Sequence, residues 1–467
     1  MAEQQNPAMQ ERVFRLLENE GVRFINLEFT DVVGMAKCVT IPVDQFAASL
    51  KSGRWFDGSA LESFARVAES DMYLFPDLST FSILPARVRP PAQDTSARSD
   101  LLNDEDVGAR VICDVLTPDG ERFDGDPRAT LLRALDVARE MGYDCLLAPE
   151  LEFFLLHLED KTPMPLPFDH GGYFDLSTDL AATVRRQMVQ ALLHMGIKIE
   201  SSHHEIAAGQ HEIDFETSDA LHVADGVMTA KYVLKAIASR HNLYATFMPK
   251  PFFGLNGSGM HTHQQLISHV TGRNAFVDES GSGEYGLSDV GRYFIAGQLA
   301  HARAMCAVLS PLVNSYKRLV PGYEAPVYIN WGRVNREALI RVPRPDANRQ
   351  ASARIELRCC DPSCNPYLAF AVMLRAGLDG IQRRLPLPPA MDESLFLRTD
   401  GERQRHLSAL LPATLGEALA DLREDPMMRE TLGDSIYEGF VEAKGIEWAE
   451  YRKQVHSWEL DRYLPVF

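Results

Sequence analysis

The sequence predicts an α+β fold with a curved, half-barrel sheet and helices packed outside it. Two observations carry this. Segments of strand periodicity recur along the chain with helical segments between them. Four of the strand-like segments also put acids, histidines and arginines on one face and apolar residues on the other. In Ala148–Leu156, Glu150 and Glu152 point one way and Leu151 and Phe153 the other. His261 and His263 share a face just after a glycine-rich turn. Arg354, Glu356 and Arg358 share another, and a short hairpin about Gly209 carries Glu205 and Glu212. A wet polar face would explain one such strand. Four together point to one lined cavity.

Taken in order, residues 9–20 have the spacing of an amphipathic helix. Residues 23–29 alternate as a strand, 31–34 form a turn, and 37–41 supply its hairpin partner. Residues 55–59 read as a turn-rich loop with Asp57 at its tip. Residues 85–106 are rich in Pro, Ser, Asp and Arg, as a linker or exposed loop would be. A boundary near 108 then divides the chain into 1–107 and 108–467. Asp126-Pro127 marks a helix start, with a capping acid before proline. That helix ends near Gly142 and leads into the Glu150 strand. Helices are expected near 178–195, 219–240 and 288–308, around the Gly209 hairpin and the histidine strand. The loop 314–326 precedes the Arg354 strand, and the last hundred residues are mostly helical.

Paired carboxylates in an apolar strand repel each other and lose hydration, and a bound cation removes both costs. Carboxylate and imidazole without thiolate suit a hard divalent cation such as magnesium or manganese. Arginines beside them suit phosphate oxygens, so the combination points to phosphoryl chemistry. The balance of 47 basic against 65 acidic residues gives a net charge of −18 and argues against nucleic acid as a partner. No apolar run approaches membrane-spanning length and the N-terminus lacks a signal-peptide pattern, so a cytoplasmic protein is expected. Cys359, Cys360 and Cys364 cluster without zinc spacing and read as small apolar fillers.

These residues sit in longer motifs: Phe56-Asp-Gly-Ser59, Glu150-Leu-Glu152, His203-His-Glu205 with Gly209-Gln-His-Glu212, and Asn256-Gly-Ser-Gly-Met-His-Thr-His263. The loop 314–326, Asn335-Arg336 and Arg354-Ile-Glu-Leu-Arg358 followed by Asp361-Pro-Ser complete the set. From about residue 10 onward the chain resembles the glutamine synthetases of the bacterial class I type, alpha subgroup. The resemblance implies a small β-grasp-like N-terminal domain and a catalytic domain with an antiparallel half-barrel. It implies two or more magnesium or manganese ions per site. Glu152, Glu205 and Glu212 would hold one, and Glu150, His261 and Glu356 the second. It places glutamate on Arg318, Asn256, Gly257 and Arg358. It places ATP on Arg336, Arg341, Arg354, His263 and Glu200. The acceptor amine would meet Asp57 of a neighbouring subunit, with Glu324, Glu205 and Tyr173. The assembly implied is a homo-dodecamer of two six-membered rings, with residues 447–467 locking the rings together.

The departures are specific. Ala60 replaces a second serine, Leu255 an acid, and Gln265 a serine on the nucleotide side. Gly332-Arg-Val-Asn335 replaces Ser-Ala-Arg-Asn, and the 86–107 linker is longer than the family's. Phe396 stands where another subgroup has an adenylylated tyrosine, so that control is expected to be absent; Arg66 matches a glutamine-feedback position. Because Ala60, Leu255 and Gln265 alter a stereotyped shell, an organic amine or arylamine is the expected acceptor and ammonia the alternative. A ring-forming scaffold without activity is the remote third, since all six metal ligands are kept.

Overall fold

A computed structural model describes residues 6–60, 71–85, 107–159, 162–166, 169, 172–175, 179–280, 283–344, 352–392 and 410–467. The expected linker at 86–106, Arg66, Phe396 and the side chain of Ala60 lie outside the described residues.

Residues 23–41 fold as their alternation implies. Strands β1 (Phe24–Thr30) and β2 (Ala36–Pro42) pair antiparallel through a tight turn. Gly34 lies at φ +86°, and a Cβ there would come 3.0 Å from Asn365 Cα. That close approach is used: Asn365 donates to the carbonyls of Asp31 and Val32 and caps the helix Pro366–Arg383. Of residues 55–59, expected in a loop, 55–57 belong to strand β3 (Arg54–Asp57), and the turn begins at Gly58. The reason is long-range. β3 pairs with β4 (Asp71–Pro76), and Trp55 donates its indole N–H to Asp71. Asp57 therefore ends a strand instead of capping a loop. After β5 (Ser82–Ile83) comes β6 (Gly108–Leu116), which begins where a domain boundary is expected. β6 is the middle of the first sheet, in the order β2-β1-β6-β4-β3, parallel to β1. It is buried nearly throughout, so the chain returns to this sheet before leaving it.

Asp126 caps the helix Pro127–Glu140, as its spacing predicts. The second residue of that helix, Arg128, is almost fully buried. It bonds Asp77 and Asp114 of the first unit and Asp225 of the long helix Ala220–Arg240, whose carboxylate also accepts from Tyr367. Three buried carboxylates around one guanidinium tie the two units together. Removing the arginine would leave those charges unpaired, at a cost of roughly 3–5 kcal/mol.

The second sheet is organised by β7 (Tyr143–Glu159). Among the described residues it pairs with β8 (Thr162–Pro165), β10 (Gln210–Phe215), β11 (Ser218–Asp219), β12 (Tyr244–Thr246) and β13 (Met260–Ser268). β9 (Ile199–His204) extends it beyond β10, and β16 (Ile355–Leu357), β15 (Ala338–Arg341) and β14 (Tyr328–Gly332) extend it beyond β13. The pairs are antiparallel except β14 with β15, and the sheet curls into a half-barrel. Leu151 and Phe153 are fully buried on the helix-covered side, worth roughly 2–3 kcal/mol each. Six of the seven cysteines are buried and all are free, as apolar fillers would be.

The helix expected over 288–308 is two, Asp289–Ala300 and Ala302–Leu309, meeting at His301. The imidazole there lies 2.5 Å from Asp425 and 3.0 Å from Asp379, which pins the break. Burial opposes its charge, but the two carboxylates outweigh burial and raise its pKa. The resulting stabilisation is complete below the ordinary imidazole value and is lost as pH rises through the raised one. Replacing His301 by Gln is therefore expected to lower Tm most near pH 6, by roughly 2–4 °C, with the gap closing toward pH 9. Thermal melts of both proteins across that range check it; a pH-independent gap would refute the pairing.

Candidate active site

Strand register brings the polar residues together. β7 sets Glu150 opposite His261 of β13 and Glu152 opposite Glu212 of β10. β16 sets Glu356 between His263 and Arg341, and β9 sets His203 opposite Glu212. The result is two cavities, about 380 Å³ and about 700 Å³, that share Glu150 as a common wall. The smaller is lined by six glutamates and four arginines, and so many carboxyl oxygens in one place fit bound cations.

Two groups of possible metal ligands line it, each with its ligand atoms within 4.8 Å of one another: Glu150, His261 and Glu356, and His203, Glu205 and Glu212. Glu150 accepts from His261 at 3.1 Å and from His263 at 2.8 Å. Burial works against its charge, but those bonds hold it well below the usual carboxylate range. Burial, then Arg358, pushes His261 down to about 4, so its imidazole is neutral and keeps a lone pair for a metal. Burial, then Glu205, pushes Glu152 up to about 8, and burial, then Glu152, raises Glu212 well above the usual carboxylate range. A cation bound beside Glu152 would have to displace its proton, so cation affinity is expected to fall as pH drops below about 8. Oxygen and imidazole donors without a thiolate suit a hard divalent ion.

The arginines are placed by backbone and by acids. Arg318 donates to the carbonyls of Arg358, Cys359 and Cys360, which fixes its guanidinium deep in the cavity. Glycine is required beside it: a Cβ on Gly259 would lie 2.5 Å from Arg318 Nη2, and one on Gly257 would lie 2.2 Å from Pro249 O. Arg341 and Arg358 both bond Glu356 and balance its buried charge. Arg354 donates to His263 Nδ1, which leaves the His263 N–H on Nε2 to donate to Glu150. At the mouth, Tyr173 donates to Glu324 at 2.9 Å. Phe174 and Glu324, both lining the cavity, sit at positive φ, a strained conformation for side-chain-bearing residues.

Residues 124–463 match the profile of the glutamine synthetase catalytic domain, and residues 21–118 that of the glutamine synthetase beta-Grasp domain. The chain belongs to the glutamine synthetase family. It is 49% identical over 458 residues to a glutamine synthetase of Thermus thermophilus, covering 97% of this chain and 98% of that one. With a glutamine synthetase of Clostridium saccharobutylicum it shares 48% over 456 residues, covering 97% and 98%. Among solved structures, a GmaS/ADP complex matches with a TM-score of 0.84 and 30% identity, over 97% of this chain and 99% of that chain. GmaS without ligand matches at 0.83 and 30%, over 96% and 98%. As a glutamine synthetase family enzyme, the chain is an ATP-dependent ligase joining glutamate to ammonia or an amine.

Against the family's pattern, the smaller cavity collects the six expected metal ligands together with Arg318, Arg336, Arg341, Arg358, Asn256, Gly257, Tyr173 and Glu324. Glu200, His263 and Arg354 line the larger one. Asp57 lines neither among the described residues; at the end of β3 its carboxylate accepts from Ser59. His203 is a possible ligand that sequence reasoning passed over. Its signal was present, since it alternates with Glu205 and faces Glu212 across the hairpin. Gln210 was also passed over, and it bridges Glu152 to the Gly257 carbonyl. A third ligand-like group, Asp169, His204 and His211, is wholly buried behind the hairpin. There Arg185 bonds His211 Nδ1, which leaves the ring proton on Nε2 with no lone pair to give. That group ties the hairpin down through Asp169, which accepts from His204 and Gly209.

Proposed function

We propose that the enzyme phosphorylates the γ-carboxylate of glutamate from ATP and lets an amine displace the phosphate. The observation that carries this is Glu150 as the shared wall of an arginine-anchored cavity and a second, larger one. In this reading Arg318, Asn256, Gly257 and Arg358 hold glutamate, and Glu200, His263, Arg354, Arg341 and Arg336 hold the nucleotide and its phosphates. Bound magnesium or manganese would neutralise developing phosphate charge, held by Glu152, Glu205 and Glu212, and by Glu150, His261 and Glu356. Arg318 orients the substrate carboxylate, and the segment carrying Glu324 excludes water from the acyl phosphate.

For the acceptor, Tyr173, Glu205 and Glu324 form an anionic corner that suits ammonium and can take its proton. The expected preference for an organic amine rested on three positions. Leu255 packs beside Phe154 and Leu156, Gln265 lines the other cavity, and the side chain of Ala60 lies outside the described residues. We therefore put ammonia first. A small organic amine is the second reading, favoured by Phe174, 72% exposed at the cavity mouth as an apolar wall. The test is ATP-dependent amide formation with glutamate and ammonia, ethylamine, isopropylamine or aniline. Ammonia is expected to give the highest kcat/KM; a hydrophobic amine that exceeds it would overturn the first reading.

Assembly into a dodecamer of two rings belongs to this reading. Asp57, on the N-terminal unit, would complete a neighbour's site. The C-terminal helix Ser457–Tyr463 and the residues after it expose Trp458, Leu464, Val466 and Phe467, an apolar strip suited to a second copy.

A further inference from the structure

We infer that Lys250 is a positioning residue tying the glutamate-holding loop to the segment that closes over the acceptor. The inference rests on the ligase reading above. The loop 249–258 is closed by Ser258 N–H donating to Pro249 O at 2.9 Å, and it presents Asn256 and Gly257 to the cavity. The Lys250 ammonium crosses this loop and donates to Leu255 O. The same ammonium lies 3.5 Å from the centre of the Tyr323 ring. Tyr323 and its neighbour Glu324 both line the cavity, and Glu324 is the acid bonded to Tyr173. The Lys250 backbone is itself anchored at the start of this segment, where Asn314 both accepts from Lys250 N–H at 2.7 Å and donates to Lys250 O at 3.1 Å.

Lys250 is 9% exposed and has no carboxylate partner among the described residues. A buried ammonium without a counter-ion is costly unless other groups solvate it. Here a carbonyl and a π face do so, and they belong to two different functional segments. Leu255 sharpens the point. An acid at that position could pair with the ammonium and draw it off the ring, whereas this chain offers only a backbone oxygen while the leucine side chain packs against Phe154 and Leu156. Holding glutamate and shielding its acyl phosphate are thereby linked through one side chain.

The measurement is the ratio of phosphate released to amide formed, with KM for glutamate, in the full-length enzyme. In Lys250→Met, phosphate release without amide is expected to rise about tenfold, with a higher KM for glutamate. Lys250→Arg, which keeps a cation over the ring, is expected to recover most of the coupling. Tyr323→Leu should uncouple likewise, and the double variant should be no worse than the worse single one. An unchanged ratio in Lys250→Met, or additive losses in the double variant, would overturn the inference. If Lys250→Met does not fold, Tyr323→Leu decides alone, an unchanged ratio overturning it. An unmodified enzyme that forms no acyl phosphate would instead refute the ligase route and the inference with it.

Discussion

Glu150→Gln is expected to lower acyl-phosphate formation by roughly 10³-fold while leaving the fold intact. The side chain stands between the two cavities and takes hydrogen bonds from His261 and from the Arg354–His263 pair. Glutamine keeps its size and an acceptor oxygen but removes the charge from the point where phosphate would pass between the cavities. Glu356→Gln is expected to differ. Glu356 is fully buried and balances both Arg341 and Arg358. Its loss leaves two guanidiniums facing a site without their counter-charge, so cation binding and stability fall together, the latter by roughly 3–5 kcal/mol. Hydroxamate trapping, calorimetric titration with magnesium and manganese, and thermal melts separate the two outcomes. Full activity in Glu356→Gln would sink the assignment of that residue to a metal.

Mixing two inactive variants is expected to restore activity. Asp57 sits at the end of β3 on the first sheet and lines neither cavity of its own chain, whereas Glu212 lies inside the smaller one. If each site takes Asp57 from the next subunit, Asp57→Ala and Glu212→Ala fail in different halves of a composite site. In random mixed rings, about one site in four pairs an intact Glu212 with an intact Asp57, so about a quarter of wild-type activity returns. The check is to dissociate, mix and reassemble the two proteins, confirm mixed rings by native mass spectrometry, and assay. Mixed rings with no activity above the single variants would refute a shared site.

Several features were legible because they are properties of a few neighbouring residues. Asp126-Pro127 announces a helix start, since a capping acid and a proline act within one turn. The alternation in 148–156 announces a strand with a carboxylate face, and the 203–212 hairpin is announced by its turn. Where reading along the chain failed, a distant partner decided. Residues 54–57 are extended because β4 supplies their hydrogen bonds. β7 runs past both ends of its alternating stretch, to Tyr143 and Glu159, because β13 and β8 pair with it there. The helix over 288–308 breaks at His301 because acids from elsewhere in the chain hold its imidazole.

The sequence by itself determined the strand faces, the ligand chemistry and the family, because side-chain alternation and donor type need no partner to be read. It did not determine which faces meet. Glu150 opposite His261, Glu152 opposite Glu212 and Glu356 opposite His263 are matters of register between strands far apart in the chain. Register follows from the hydrogen-bond ladder of the whole curled sheet, and a slip of one residue would send every one of these side chains to the apolar face. Only the tertiary structure could therefore close His203, Glu205 and Glu212 into one cluster, leave Asp57 outside its own chain's two site cavities, and set Lys250 between two loops.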